Sequence, residues 1–465
     1  MKARTWFPAV ASVLLWTALV PRCAHGAAAQ AASATPTFAS DVARVLHENC
    51  VECHRPGEMA PMSLLTYQEA RPWAKSIARV VASGAMPPWH ADSRYGPYAN
   101  DLRLSEDDKT LLLAWVEGGA PQGDPAELSA PPEFTRGWSQ GEPDLVVTLP
   151  EPVVVDASGD DEYHYIVVPM DLDRDVWVRS AEVRPGNREI VHHATVMVMP
   201  PSLVRQGPDG PELALRTPTR EALTQRVGKL TRLRSGAPVV DDGCAHADGG
   251  DFPGSRPGEG PQLGVFLPGK GPDTRPTGHA VLVPAGSFLL FQMHYSPAGE
   301  RQSDQTQIGL ILADAEDVEH RVKRVEIWNN LFEIPPRASR HEVTSCFTFD
   351  KTVRAISYTA HMHFRGSSMK AEALLPDGTR KTLFSVPDYS FNWQTTYVLA
   401  QPHPLPAGTV IHTTATFDNS AGNPLNPDPG ATVRWGEPSD DEMMGFWIEY
   451  VDEPAAAVPN EAEGR

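Results

Sequence analysis

The chain has 465 residues, 41% of them hydrophobic and 21% charged, which is enough for two or three domains with real cores. A formal net charge of −19 argues against nucleic acid as a partner, since nucleic-acid surfaces are normally matched by basic ones. Its 45 prolines and 36 glycines argue against a helical bundle and for β-structure with many turns and long loops.

At the N-terminus, Lys2 and Arg4 precede the apolar run "WFPAVASVLLWTALV" and then the small residues "CAHGAAAQAASA". This layout predicts a secretory signal peptide over 1–26. The run is too short and too one-sided for a membrane span, and Pro21 and Arg22 do not suit a lipobox at Cys23. No other segment has 18 uninterrupted apolar residues. The mature protein is therefore expected to be soluble, periplasmic or extracellular, and not an integral membrane protein. Its compartment is oxidising, where free thiols are usually consumed.

Residues 37–122 read as helical. "FASDVARVLHENC" and "TYQEARPWAKSIARVVASG" space their apolar residues near 3.6. "SEDDKTLLLAWVEGG" offers Ser105 as N-cap with Asp108 three residues later, and ends on glycine. A Pro/Gly/Ser-rich linker follows over 123–142. Beyond 143 the period becomes two, in short segments such as "YHYIVVP", "ATVMVMP", "SFLLFQMHY" and "VIHTTATF". That length exceeds one ordinary sandwich, so the expected architecture is a small all-α domain followed by two all-β sandwiches. Their boundaries are 143–328 and 329–452, with a seam near "EIPPRAS". The stretch 234–280 reads as mostly loop and the tail 453–465 as disordered.

Cysteine is scarce, five residues in all, yet two stand in "NCVECH" at 49–54. C-x-x-C-H is the attachment signature of a c-type haem, with two thioether bonds and an axial histidine. A disulfide across a two-residue gap would be strained, and no second CxxC or HxxxH completes a zinc site. Cys50, Cys53 and His54 are thus predicted to hold a covalent haem c, on a helical segment the size of a small cytochrome c. For the sixth ligand, "GAMPPWHAD" offers Met86 and His90, while Met59 and Met62 lie nearer the attachment site. Met86, followed by proline just before the final helix, resembles the distal-ligand loop of small class I cytochromes c and is the preferred ligand. Met/His ligation raises the reduction potential, which suits an electron carrier.

The β-region carries its own histidine pattern. His361 and His363 in "AHMHF" share a strand face by parity, so both imidazoles can reach one metal; the alternative is a satisfied polar pair. His192 and His193 in "VHHA" point to opposite faces of a regular strand and can share a metal only at a strand end or a bulge. In "DDEMMGFWIEY", Met444, Phe446, Ile448 and Tyr450 form an alternating apolar face that reads as core, with Met443 on the other face.

Taken in order, "VHHA", "FQMHYS", "YTAHMHFRG" and "SDDEMMGFWIEY" resemble the copper type II, ascorbate-dependent monooxygenase family, over roughly 143–452. The resemblance implies two jelly-roll-like sandwiches and two copper ions. It implies a first copper on His192, His193 and His294, and a second on His361, His363 and Met443. It also places Gln292 near the first copper. The family pairs its cysteine at the Cys346 position within one sandwich; no such partner stands here, leaving a Cys244–Cys346 bridge or two buried thiols.

The resemblance further implies an exported, copper-dependent monooxygenase that hydroxylates a C–H bond of a small molecule with dioxygen. Its electrons would come from an ascorbate-like reductant or a redox protein and pass through the fused haem. The alternative is a non-enzymatic haem–copper electron carrier or copper-holding protein. Strand parity puts Thr359, Gly445 and Trp447 beside the second site. Peptide-hydroxylating relatives have a carboxylate clamp of arginine, asparagine and tyrosine at those positions, so a neutral or apolar substrate is expected here. Arg365 shares the parity of His363 and is the candidate replacement anchor.

Overall fold

The computed structural model describes residues 35–453, apart from 57, 59, 61, 135–136, 160, 208–209, 214–260, 268–269, 330 and 437. The predicted signal peptide, the tail beyond 453, Cys244 and Met59 lie outside the described residues. Among the described residues no helix is long and apolar enough to cross a membrane. The fold is a small helical portion followed by mostly β-structure in several sheets.

The helical portion packs Phe38–Val42, Ala43–Asn49, Tyr67–Ala70, Ala74–Ser83 and Glu106–Glu117 around Phe38, Leu46, Ile77, Leu112 and Trp115. Its caps are written in the sequence. Ser105 accepts from the Asp108 amide at 3.0 Å, and Thr66 with Glu69 forms a reciprocal capping box. Gly84 ends Ala74–Ser83 in the left-handed conformation, with φ 75°.

After that cap the chain departs from the helical reading. Pro87 and Pro88 cannot continue a helix. Residues beyond them leave the helical core: Trp89, Ala91 and Tyr98 are buried in the apolar core of the second sandwich. Trp89 and Tyr98 both pack on Tyr397, with centroids 5.0 and 5.7 Å away. Backbone bonds from Asp92 to the Ser385 carbonyl and from Ala99 to the Val398 carbonyl fix the segment there.

The first sandwich has two sheets over one core. One sheet orders Leu145–Thr148, Gln307–Ala313, Val176–Arg184, His279–Val283 and His320–Arg321. The other orders Glu162–Pro169, Phe288–Tyr295, Val191–Met199 and Gln262–Phe266. The second sandwich repeats the plan. Lys323–Trp328, Gly445–Asp452, Val353–His361 and Thr396–Leu405 face His341–Thr348, Val410–Phe417, Gly366–Leu374 and Arg380–Val386. All pairs in these four sheets are antiparallel except His279–Val283 with His320–Arg321. The apolar core passes from the first sandwich to the second between Val322 and Val325, a little before the predicted seam. Cys346, on His341–Thr348, is disulfide-bonded, whereas Cys50 and Cys53 are free.

Candidate metal centres

The Cys-x-x-Cys-His turn caps Ala43–Asn49. Cys53 and His54 both donate backbone N–H to the Cys50 carbonyl, at 3.2 and 2.9 Å. Burial pushes the Cys50 thiol up to about 12 and the Cys53 thiol up to about 11. His54 donates from Nδ1 to the Met62 carbonyl at 3.3 Å, which leaves Nε2 with its lone pair. A carbonyl partner on the far nitrogen is the usual support for a metal-ligating histidine. Among the candidates for the opposite face, Met86 stands 43% exposed on the loop after Gly84, and Met62 packs against the helical core. Burial lowers His90 below the ordinary histidine value.

The three-histidine cluster sits where Val191–Met199 meets Phe288–Tyr295. His294 pairs with His193, but Tyr295 pairs with Val191, so His192 is the extra residue of a β-bulge. The bulge breaks the alternation that would send His192 and His193 to opposite faces. His193 Nδ1 lies 3.4 Å from His192 Nδ1 and 3.2 Å from His294 Nδ1. Imidazole nitrogens about 2.0–2.1 Å from one metal would stand roughly 3.3–3.6 Å apart. His294 pairs through Nε2 with Asp161 Oδ2 at 2.8 Å, which turns its Nδ1 toward the other two. Three ring nitrogens at this spacing suit a metal ion. That bond also holds the Asp161 carboxyl below its ordinary value. Burial lowers His192 to about 4 and His193 well below the ordinary histidine value, so both are neutral ligands at pH 7. Gln292, two residues before His294, gives its amide to the Tyr165 hydroxyl at 3.0 Å.

His361 ends the strand Val353–His361, and His363 lies just beyond it; their rings are 5.2 Å apart and nearly perpendicular. Gln394 donates from Nε2 to the Phe391 carbonyl, so its Oε1 accepts from His361 Nδ1, at 2.5 Å. His363 donates from Nδ1 to the Asp441 carbonyl at 3.3 Å. Both tautomers therefore leave Nε2 free. Burial lowers His361 to about 4 and His363 to about 3. Met443 is buried at 8% exposure outside the apolar core, while Met444 is sealed inside it. The Glu442 carboxylate ties this segment to the histidines by accepting from the amides of His363, Arg365 and Met443.

Arg365 is not a pocket anchor. It is 1% exposed, donating to Asn419 Oδ1 and the Asp440 carbonyl, where it holds the Met443 loop in place. Register sets Gly445 opposite His361 and Trp447 opposite Thr359. The Thr359 hydroxyl pairs with Thr396 at 3.0 Å. Trp328, which the sequence did not single out, completes an aromatic wall: its ring lies 5.1 Å from Trp447 and 6.3 Å from His361. A Cβ at Gly445 would come within 2.8 Å of Trp328, so glycine permits this approach.

The two clusters face each other. Tyr163 stacks on His294 at 4.2 Å, and its hydroxyl lies 3.2 Å from Ser439 on the loop before Met443. Phe391 stacks on His192 at 5.7 Å and meets His363 edge-on at 6.1 Å. Asp161, Gln394 and Phe391 carried no recognisable signal in the sequence: each is an ordinary loop residue whose role comes from what folding brings beside it.

No family model matches the chain, and no curated protein matches it. Solved structures similar to it include the infectious bursal disease virus Gx strain, 11% identical over 67% of this chain and 73% of that one, with a TM-score of 0.19. The VP2 subviral particle of infectious bursal disease virus has the same identity and coverage at 0.18. A Paenibacillus xanthan lyase is 11% identical over 72% of this chain and 28% of that one, at 0.14. Likeness at these TM-scores carries no argument.

Proposed function

We propose that the chain is an exported copper-dependent monooxygenase that hydroxylates a C–H bond of a small molecule, with electrons supplied through a fused c-type haem. The observation that carries the proposal is the pair of opposed ligand sets. Three Nδ1 atoms converge in one, two Nε2 atoms are left free in the other, and Phe391 touches both. His192, His193 and His294 would hold one copper; His361, His363 and Met443 would hold the other. Imidazole suits both oxidation states of copper, and a thioether favours Cu(I). Cys50, Cys53 and His54 would hold the haem, with Met86 at the distal position. When bound, the haem iron supplies one-electron transfer, and the coppers supply electron storage and dioxygen reduction.

The chain's own residues do the positioning. Asp161 fixes the His294 tautomer, and Gln394 and the Asp441 carbonyl fix those of His361 and His363. Glu442 and Arg365 hold the Met443 segment against them. Trp328 and Trp447 form an apolar wall beside His361, suited to a neutral or apolar substrate rather than a carboxylate. On the haem side, Glu58 pairs with both Arg55, next to His54, and Arg188, four residues before His192. This ties the attachment turn to the approach of the three-histidine strand.

The test is metal analysis followed by oxygen uptake. The full chain should carry one covalent haem and two coppers, and should consume dioxygen with a reductant and a neutral aromatic or aliphatic compound. Two bound coppers with no uptake across such a panel would leave the haem–copper carrier as the function.

A further inference from the structure

The loop 388–394 touches both histidine sets. The Tyr389 hydroxyl donates to the Met362 carbonyl at 2.7 Å and accepts from the Met362 amide at 3.0 Å, clasping the residue between His361 and His363. Gln394 sets the His361 tautomer. Between these clasps the Phe391 ring, 7% exposed, lies against His192 of one ligand set and His363 of the other.

We infer that Phe391 is a spacer that fixes the separation of the two metal sites, and that the Tyr389 and Gln394 clasps hold its ring in the gap. The inference rests on the two-copper reading above. Six ligands this close could otherwise collapse toward one shared ion. A flat ring, stacked on one imidazole and edge-on to the other, fills the gap with groups that cannot ligate. Filling it has a second consequence. A substrate cannot lie between the two sites through this gap, so the side of His361 walled by Trp328 and Trp447 is its approach. Phe391 is thus a positioning residue, not a catalytic one.

The experiment compares the copper-loaded full chain with F391A, F391L and Y389F. It measures copper per chain, the dipolar splitting between the two Cu(II) ions by electron paramagnetic resonance, and Tm. Two coppers per chain and one sharp splitting are expected for the wild type. F391A should keep both coppers but shift or smear the splitting, and F391L should restore much of it. Y389F, which retains the ring but loosens its clasp, should broaden the splitting and lower Tm, since the buried Met362 amide and carbonyl lose their partner. An F391A splitting identical to that of the wild type, with two coppers bound, would overturn the spacer and leave the two-copper reading intact. A wild-type chain holding fewer than two coppers would overturn that reading, and the spacer with it.

Discussion

The two histidine clusters reach the same end, ring nitrogens gathered about one point, by opposite means. The first presents Nδ1 atoms from a bulged strand, backed by a carboxylate. The second presents Nε2 atoms from a strand end and the residue two beyond it, backed by an amide and a carbonyl. The outer partner decides which nitrogen remains for a metal. A carboxylate makes its imidazole more basic than a neutral acceptor does. On the proposed reading, the first cluster would hold Cu(II) as well as Cu(I), and the second, with a thioether, would favour Cu(I).

The largest effect should come from the residue beside the second cluster that takes no part in it. Met444 is fully buried among Phe446, Ile448 and Tyr450, so Met444→Ala should cost about 2–5 kcal/mol by urea unfolding. Met443→Ala should cost less stability and instead weaken Cu(I) at the His361–His363 site, sparing the three-histidine site. Chelator competition separates the two outcomes, and the reverse pattern would exchange the roles of the methionines.

Acid should expose what the clusters share. Folding holds His192 and His361 at about 4 and His363 at about 3, chiefly through burial. An unfolded histidine titrates at about 6.5, so between these values the unfolded chain binds more protons. The contribution of these histidines to the stability of the metal-free chain should therefore be complete above pH ~6.5 and fall as the pH drops toward 4. Folded His361 and His363 stay deprotonated across that window. The increment in Tm from copper at their site should then remain level while both curves decline, and an increment that collapses near pH 6 would show ordinary, solvated histidines.

The contrast in outer partners is sharpened by Asp161→Asn against Gln394→Leu. Asp161→Asn should weaken copper at the three-histidine site by about 10–100-fold, and Gln394→Leu should weaken the other site by no more than about tenfold. Equal losses would mean that geometry, not charge, is what the outer partner supplies.

Much of this was legible in the sequence where the signal is local. The Ser105 cap, the parity that brings His361 and His363 together, and the need for a bulge at His192–His193 follow from neighbours a few residues apart. Asp161, Gln394, Phe391 and Trp328 were not legible, because each gains its role from a strand or loop distant in sequence. Arg365 was misread for the same reason: parity gave its face, but not the Asn419 side chain and Asp440 carbonyl that bury it. The segment 86–100 falls within the stretch read as helical, with Met86 and its proline read as a loop over the haem. Only folding reveals Tyr397 waiting for Trp89 and Tyr98.

The smallest effect concerns how the helical portion is tied to each side. Toward the second sandwich the tether is apolar, with Trp89 and Tyr98 in its core. Toward the three-histidine strand it is ionic, with Glu58 shared between Arg55 at 3.0 Å and Arg188 at 2.5 Å. Arg188 is 39% exposed, so Arg188→Gln should cost under about 1 kcal/mol, and less still at high salt. Glu58→Gln should cost more, although it too removes one charge. It leaves Arg55, which is only 16% exposed, has a buried Nε without a partner and sits over Phe134, with only the longer pair to Glu52 at 3.4 Å. Glu58 is the hub, so the two losses should not be equal. Unfolding midpoints at low and high salt give the comparison directly. If Arg188→Gln proved the costlier, the ionic tether would lie in Arg188 and its contact with Phe266 rather than in the carboxylate.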